Sequence, residues 1–126
     1  MAKITRMSES ESVIMNIVWE QRAPMSPGEV LKKLSPEFNW KYKTVATFLT
    51  RLTAKGILDC KKQGNINTYT PKLSRQEYIE FETKQFLAQY HNGSVSNMIA
   101  ALYKDDINKE KLDELFALID KQDKGD

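Results

Sequence analysis

The chain is 126 residues long, 40% apolar and 29% charged, with a formal net charge of +2, the proportions of a globular protein with room for one or two small domains. Apolar runs extend only a few residues, so no membrane insertion is predicted, and residues 1–6 lack the apolar stretch and cleavage site of a secretory signal, which predicts a cytoplasmic protein. A single cysteine, Cys60, and a single histidine, His91, exclude an internal disulfide and a Cys/His metal site.

No cofactor or metal is therefore expected; Cys60 reads as a half-buried strand residue and His91 as a helix-end or turn residue. Ser8-Glu9-Ser10-Glu11 has the spacing of a capping box, in which the Ser8 hydroxyl and the Glu11 carboxylate each bond the other's amide. The helix it opens carries Val13, Ile14, Ile17 and Val18 at helical spacing, with Met15 and Trp19 widening the apolar surface. Arg22-Ala23-Pro24-Met25 reads as a turn. Ser26-Pro27-Gly28-Glu29 repeats the cap with proline at the first helical position, where its missing amide costs nothing, and Val30, Leu31 and Leu34 follow. Ser35-Pro36 stops that helix, because the residue before proline disfavours helical dihedrals.

The third helix, between Trp40 and Gly56, is the most informative segment. At about 100° per residue, Val45, Phe48, Leu49 and Leu52 gather on a core-facing side. The other side holds Lys43, Thr47 and Thr50, flanked by Thr44 and Arg51, with no carboxylate along the helix. Short threonines let a helix axis approach base edges and thymine methyls, while the cations reach phosphates or a guanine. The alternative is a solvated stripe, but such stripes usually mix Glu with Lys, whose attraction at spacing four supports a helix. Gly56 suits a left-handed cap.

Beyond Gly56 the apolar period drops from 3.6 to about 2. Residues 57–62 and 66–70 read as two strands joined by a three-residue turn, Gln63-Gly64-Asn65, with Lys61, Lys62, Asn65 and Asn67 at the tip. Three helices followed by a basic hairpin is the plan of a winged helix-turn-helix. Pro71 ends the hairpin. Ser74-Arg75-Gln76-Glu77 is a third capping box, opening a helix through Tyr78, Phe81, Phe86 and Leu87 to Tyr90, broken by His91-Asn92-Gly93. A short helix follows over 94–103 with Val95, Met98, Ile99 and Leu102. Lys104-Asp105-Asp106 is a turn, and 108–122 is a last helix with Leu112, Leu115, Phe116 and Ile119 on one stripe. Residues 121–126 read as a frayed tail.

The fold class is thus mainly α with a small β-hairpin: a winged helix DNA-binding domain over 1–73 and a helical dimerisation domain over 74–126. Residues 1–73 hold 12 Lys and Arg against 6 Asp and Glu, a balance of +6, whereas 74–126 hold 7 against 11, a balance of −4. The basic half fits a polyanion, and its expected contacts are Lys43, Thr44, Thr47, Thr50, Arg51, Lys55, Lys61 and Lys62. Three thin helices enclose little core alone, so Tyr78, Phe81, Phe86, Met98, Leu112, Leu115, Phe116 and Ile119 are expected to meet a second copy; the alternative is that they pack back on the basic domain. No nucleophile motif, phosphate loop or paired-carboxylate pattern points to an enzyme. The rival to duplex DNA binding is a winged helix that docks another protein.

Three groups of residues also carry a resemblance: Ser8, Glu11 and the run from Val13 to Trp19; Lys43-Thr44-Val45, Thr47, Leu49, Arg51-Leu52 and Lys55-Gly56; and Phe86-Leu87 with Asn92-Gly93 and Met98. In their order and spacing they resemble the penicillinase, methicillin-resistance and copper-transport repressor family (BlaI/MecI/CopY), over nearly the whole chain. The resemblance implies a bacterial homodimeric repressor, with N-terminal winged helix domains and a C-terminal helical dimerisation domain, on an inverted-repeat operator of a β-lactam-resistance or related inducible operon. Its recognition-helix positions fall on Lys43, Thr44, Thr47 and Arg51. Two places depart: Lys41-Tyr42 stands where many members have Ser-Pro, and Ala46 where penicillinase-type members have Arg or Gln. The copper-responsive branch has a C-terminal Cys-x-Cys pattern that is missing after Cys60, which argues against copper sensing. The penicillinase branch is cut by a membrane sensor protease at an Asn-Phe bond, and the aligned pair here is Ala101-Leu102.

Overall fold

Ser8 opens helix α1 (Glu9–Gln21) with both arms of the capping box formed: its hydroxyl accepts the Glu11 amide at 3.2 Å and its own amide donates to the Glu11 carboxylate at 2.8 Å. The same device starts α2 (Pro27–Lys33) through Ser26 and Glu29, and α4 (Arg75–Tyr90) through Ser74 and Glu77. A computed structural model describes residues 4–103 and 105–124, with side chains through 122. Residues 1–3, Lys104 of the expected turn and 125–126 of the expected tail lie outside the described residues. Packing divides the chain into two units, Met1–Glu82 and Thr83–Asp126.

In the first unit, α1 and α2 pack against α3 (Tyr42–Ala54), and a single 3-10 turn, Pro36–Phe38, fills the connection between α2 and α3. Ile14, Met15 and Val18 from α1, Val30 from α2, and Val45, Leu49 and Leu52 from α3 are buried together. Helix α3 closes in a Schellman motif: Gly56 takes φ 81°, its amide reaches the Thr53 carbonyl, and the Ile57 amide reaches the Leu52 carbonyl. That reversal drives Ile57 and Leu58 straight into the core.

Strands β1 (Leu58–Gln63) and β2 (Ile66–Pro71) pair antiparallel, from Leu58 opposite Pro71 to Gln63 opposite Ile66. The register leaves only Gly64 and Asn65 in the loop, so the expected three-residue turn is a two-residue one. Gly64 has φ 65° and Asn65 has no positive φ, the pattern of a type II′ turn, whose twist matches that of the strands. The expected turn before Ser26 also does more than reverse the chain. Met25 and Tyr69 exchange both amide bonds, at 3.1 and 2.8 Å, adding a one-residue third strand that ties the hairpin to the α1–α2 connection.

The first unit extends beyond the boundary at residue 73, because the opening turns of α4 pack into it. Tyr78 is 1% exposed, its ring 6.0 Å from Trp19 and 5.9 Å from Phe81, and its hydroxyl accepts the Met7 amide at 2.8 Å. Burial pushes the Tyr78 hydroxyl up to about 12, with the Glu82 carboxylate adding to the shift. Trp19 donates its indole N–H to the Leu73 carbonyl, and the Arg75 guanidinium lies over its ring. Tyr78 and Phe81, expected at a dimer surface, are instead core and near-core residues of the first unit. An aromatic at helical spacing satisfies either role in sequence.

The second unit contains the end of α4, α5 (Val95–Leu102) and α6 (Lys109–Lys124). Asn92 (φ 51°) and Gly93 (φ 78°) break α4 as expected; Ser94 caps α5, and the Asn108 side chain accepts the Lys111 amide at the start of α6. The Leu102 carbonyl accepts amides of Asp106 and Ile107 across the connection. His91 stands at the break, its ring against Phe86 and its Nδ1 3.0 Å from the Asn97 amide nitrogen.

Replacing Tyr78 by Phe keeps the ring and strips the Met7 amide of its acceptor. Urea unfolding should register a loss of about 1–2 kcal/mol.

Candidate nucleic-acid interface

Helix α3 displays the predicted division of faces. Val45, Leu49 and Leu52 are fully buried, whereas Lys43, Thr47, Thr50 and Arg51 are exposed and Thr44 is half-buried. Phe48 is half-buried, its ring tilted against that of Trp40 at 5.1 Å, which in turn meets Phe38 at 5.0 Å. These rings brace the connection that leads into the helix.

The exposed threonines are already bonded within the helix. Thr47 donates its hydroxyl hydrogen to the Lys43 carbonyl at 2.9 Å, and Thr50 donates to the Ala46 carbonyl at 3.0 Å. With the hydrogen committed, each side chain offers outward only a methyl group and oxygen lone pairs. Such a surface contacts a thymine methyl or accepts from an exocyclic amine, and carries no charge of its own.

In the hairpin, consecutive residues face opposite ways. Lys62 lies opposite Asn67 and Cys60 opposite Tyr69, so these four share one face of the ribbon. Tyr69 is 4% exposed; burial and the neighbouring Cys60 thiol raise its hydroxyl, while Thr50 and Asn67 pull against the shift. Thr50 of α3 is thus a neighbour of the Tyr69 hydroxyl on this face. Lys61 pairs with Thr68 and points the other way. The two lysines of the basic tip therefore part company, Lys62 on the ribbon face that carries Tyr69 and Lys61 on the opposite face. Cys60 is exposed rather than half-buried.

Lys55 departs from the expected group. Its ammonium lies 2.5 Å from the carboxylate of Glu11, which is 2% exposed, and its carbonyl accepts the Thr5 amide at 3.0 Å. Burial alone would raise the Glu11 carboxyl, but the Lys55 ammonium and the Ser8 amide outweigh it and hold the carboxyl below its ordinary value of 4.5. Lys55 is thus held by a buried carboxylate, with its own side chain 25% exposed. Among the described residues the ion pairs use Arg6, Lys55 and Arg75, and Lys43, Arg51, Lys61 and Lys62 stand outside them. Sequence reasoning used Glu11 only as a cap; its second partner lies 44 residues away, and no local spacing signals it. Tyr69 was also missed, although its spacing of two from Asn67 and Pro71 in β2 puts the three on one face of the strand.

In the second unit Phe116 is 54% and Ile119 45% exposed, Phe86 is exposed, and Met98, Leu112 and Leu115 are half-buried. Leu118 adds to the open apolar surface. Ser96, Ile99, Ala100, Tyr103, Leu112 and Phe116 line a groove of about 330 Å³. Ala101 and Leu102 are both exposed in the last turn of α5. Among the described residues no group of three or more His, Cys, Asp or Glu is placed to hold a metal ion, and no helix is long and apolar enough to cross a membrane.

Three helices, a wing and an outward, acid-free third helix define a winged helix protein. The chain matches the penicillinase repressor family over residues 7–121 and belongs to it. It is 33% identical over 121 residues to a penicillinase repressor of Bacillus licheniformis, covering 95% of this chain and 94% of that one. It is 27% identical over 122 residues to the methicillin resistance regulatory protein MecI of Mammaliicoccus sciuri, covering 95% and 98%. Among solved structures, the chain is similar to the Bacillus licheniformis repressor BlaI in monomeric form, in complex with the blaP half-operator. The TM-score is 0.50 at 36% identity, over 62% of this chain and 94% of that one. The family is one of transcriptional repressors, so the expectation of a regulator rather than an enzyme holds.

Because the Glu11 carboxyl is depressed in the folded chain, its contribution to stability is present above about 4.5 and is lost as pH falls through the lower folded value. Thermal unfolding from pH 6 to pH 3, read beside Glu11→Gln, should give a shallower acid loss in the variant. Equal acid slopes would show that Glu11 contributes nothing there.

Proposed function

We propose that this chain is a homodimeric transcriptional repressor that occupies an inverted-repeat operator, of a β-lactam-resistance or related inducible operon. The observation that carries the reading is the outer face of α3, where uncharged threonines are bracketed by Lys43 and Arg51 and no acid interrupts them. Thr44, Thr47 and Thr50 approach base edges; Lys43, Arg51 and Lys62 take phosphates on either side, and Lys61 adds long-range attraction from the back of the wing. The half-operator complex of the Bacillus licheniformis repressor supports duplex DNA as the partner.

Dimerisation rests on the second unit, whose described residues include none that is buried. Phe86, Met98, Leu112, Leu115, Phe116 and Ile119 supply the apolar surface for a second copy, and two linked winged helices then bind two half-sites with the gain of an intramolecular second contact. Release follows from cutting Ala101–Leu102 by a sensor protease. Helix α5 has eight residues and opens locally with little loss of burial, and the cut severs α6, with Leu112, Leu115, Phe116 and Ile119, from the rest of the chain.

Binding to duplexes enriched from a randomised pool tests the DNA reading. Arg51→Ala and Lys62→Ala should weaken enriched and random duplexes together and reduce the salt slope by roughly one counterion per contact. Thr47→Ala should instead change preference at one base pair per half-site, by about 1–3 kcal/mol. A protein that enriches no sequence and captures no duplex would be a protein-docking winged helix.

Sedimentation of the full chain tests the dimer. Phe116→Asp with Ile119→Asp should give monomers that hold an inverted repeat no more tightly than a single half-site. In induced cells, release by proteolysis predicts a fragment ending at Ala101, lost when Leu102 is replaced by Asp; normal induction without that fragment would rule the route out.

A further inference from the structure

The Glu11–Lys55 pair joins the start of α1 to the end of α3 and belongs to no other part of the proposed interface. Glu11 uses the same carboxylate oxygen for the Ser8 amide and for the Lys55 ammonium. Lys55 is the C-cap of α3, and its carbonyl is taken by Thr5 from the segment preceding α1. The residue is therefore gripped twice, by its side chain and by its backbone. The apolar contacts of Val45, Leu49 and Leu52 are non-directional and tolerate a small slide or rotation of α3. A charge-assisted hydrogen bond is short and directional, and tolerates neither.

We propose that Lys55 is a positioning residue for sequence recognition: its bond to buried Glu11 sets the rotation and axial height of α3, and it contacts no phosphate itself. The proposal rests on the DNA-binding reading and deepens it. A phosphate that drew Lys55 away would leave a carboxylate that is 2% exposed without its ion pair, and the loss of one partner of a buried pair is costly. The consequence of losing the pair is selective. A shifted α3 moves short threonines away from base edges, whereas long Lys43 and Arg51 follow the backbone and still reach phosphates. Specific binding falls and non-specific binding persists.

The experiment is a fluorescence anisotropy titration of the full chain, over a salt series, on an enriched duplex and on a random one. Lys55→Met should bind the enriched duplex roughly tenfold more weakly, the size of a lost base contact, with random-duplex affinity and salt slope unchanged. Lys55→Arg, which still reaches Glu11, should recover most of the specific affinity. Glu11→Gln should weaken the enriched duplex and strengthen the random one, because it frees an ammonium. Loss on both duplexes with the slope reduced by about one counterion would make Lys55 a phosphate contact and overturn the proposal. Equal loss on both with an unchanged slope would reduce the pair to general stability and overturn it too. If Lys55→Met does not fold by circular dichroism, Lys55→Arg and Glu11→Gln decide alone: unchanged specificity in Glu11→Gln overturns the proposal. The wild-type titration reports on the parent reading separately, since a protein that does not prefer the enriched duplex fails before any variant is compared.

Discussion

Complete burial of Val45, Leu49 and Leu52 is what leaves the opposite side of α3 facing outward. These three side chains sit at zero exposure, each contributing about 1.5–3 kcal/mol from apolar burial, and every other element of the first unit is arranged around them. Helices α1 and α2 supply Ile14, Met15, Val18 and Val30. The left-handed turn at Gly56 returns the chain so that Ile57 and Leu58 close the same core. A wing placed elsewhere would leave Tyr69 uncovered and Thr50 without its neighbour. The interface is in this sense a by-product of the core, since which side of α3 faces outward is set by residues that never meet solvent.

The features legible in the sequence are those decided within a few residues. Ser8 with Glu11, Ser26 with Glu29 and Ser74 with Glu77 are contacts at spacing three, and the period of α3 and the strand-turn-strand pattern after Gly56 are equally local. The pairings that stayed hidden join distant segments. Met25 to Tyr69, Glu11 to Lys55 and Met7 to Tyr78 depend on where the chain returns, and nothing in their immediate neighbours records it. Lys55 illustrates the consequence, a cation in a basic stretch that geometry diverts inward. Lys61 and Lys62 are a different case. Strand alternation already separates them, but a basic tip read as a patch hides the fact that a ribbon has two faces.

The two units differ in kind. The first has a closed core, with Tyr78 of α4 sealing it beside Trp19. In the second, Phe116, Leu118 and Ile119 of α6 remain about half exposed, on helices whose ends are nevertheless capped by Ser94 and Asn108. Local signals there specify helices well without specifying enough buried area to hold them together. On the proposed dimer reading, such a unit would draw its stability from association, and its order would depend on protein concentration in a way that the first unit's does not.

The hydroxyls of Thr47 and Thr50, bonded to the carbonyls of Lys43 and Ala46, have a thermodynamic consequence. Each threonine has a branched β-carbon and now a fixed hydroxyl, so its rotamer freedom is surrendered when the helix forms. Whatever docks against this face meets side chains with no entropy left to lose, unlike a surface of lysines or glutamines whose ordering opposes binding. The middle of α3 is a rigid template, and the ordering that accompanies complex formation is concentrated in the long cations around it.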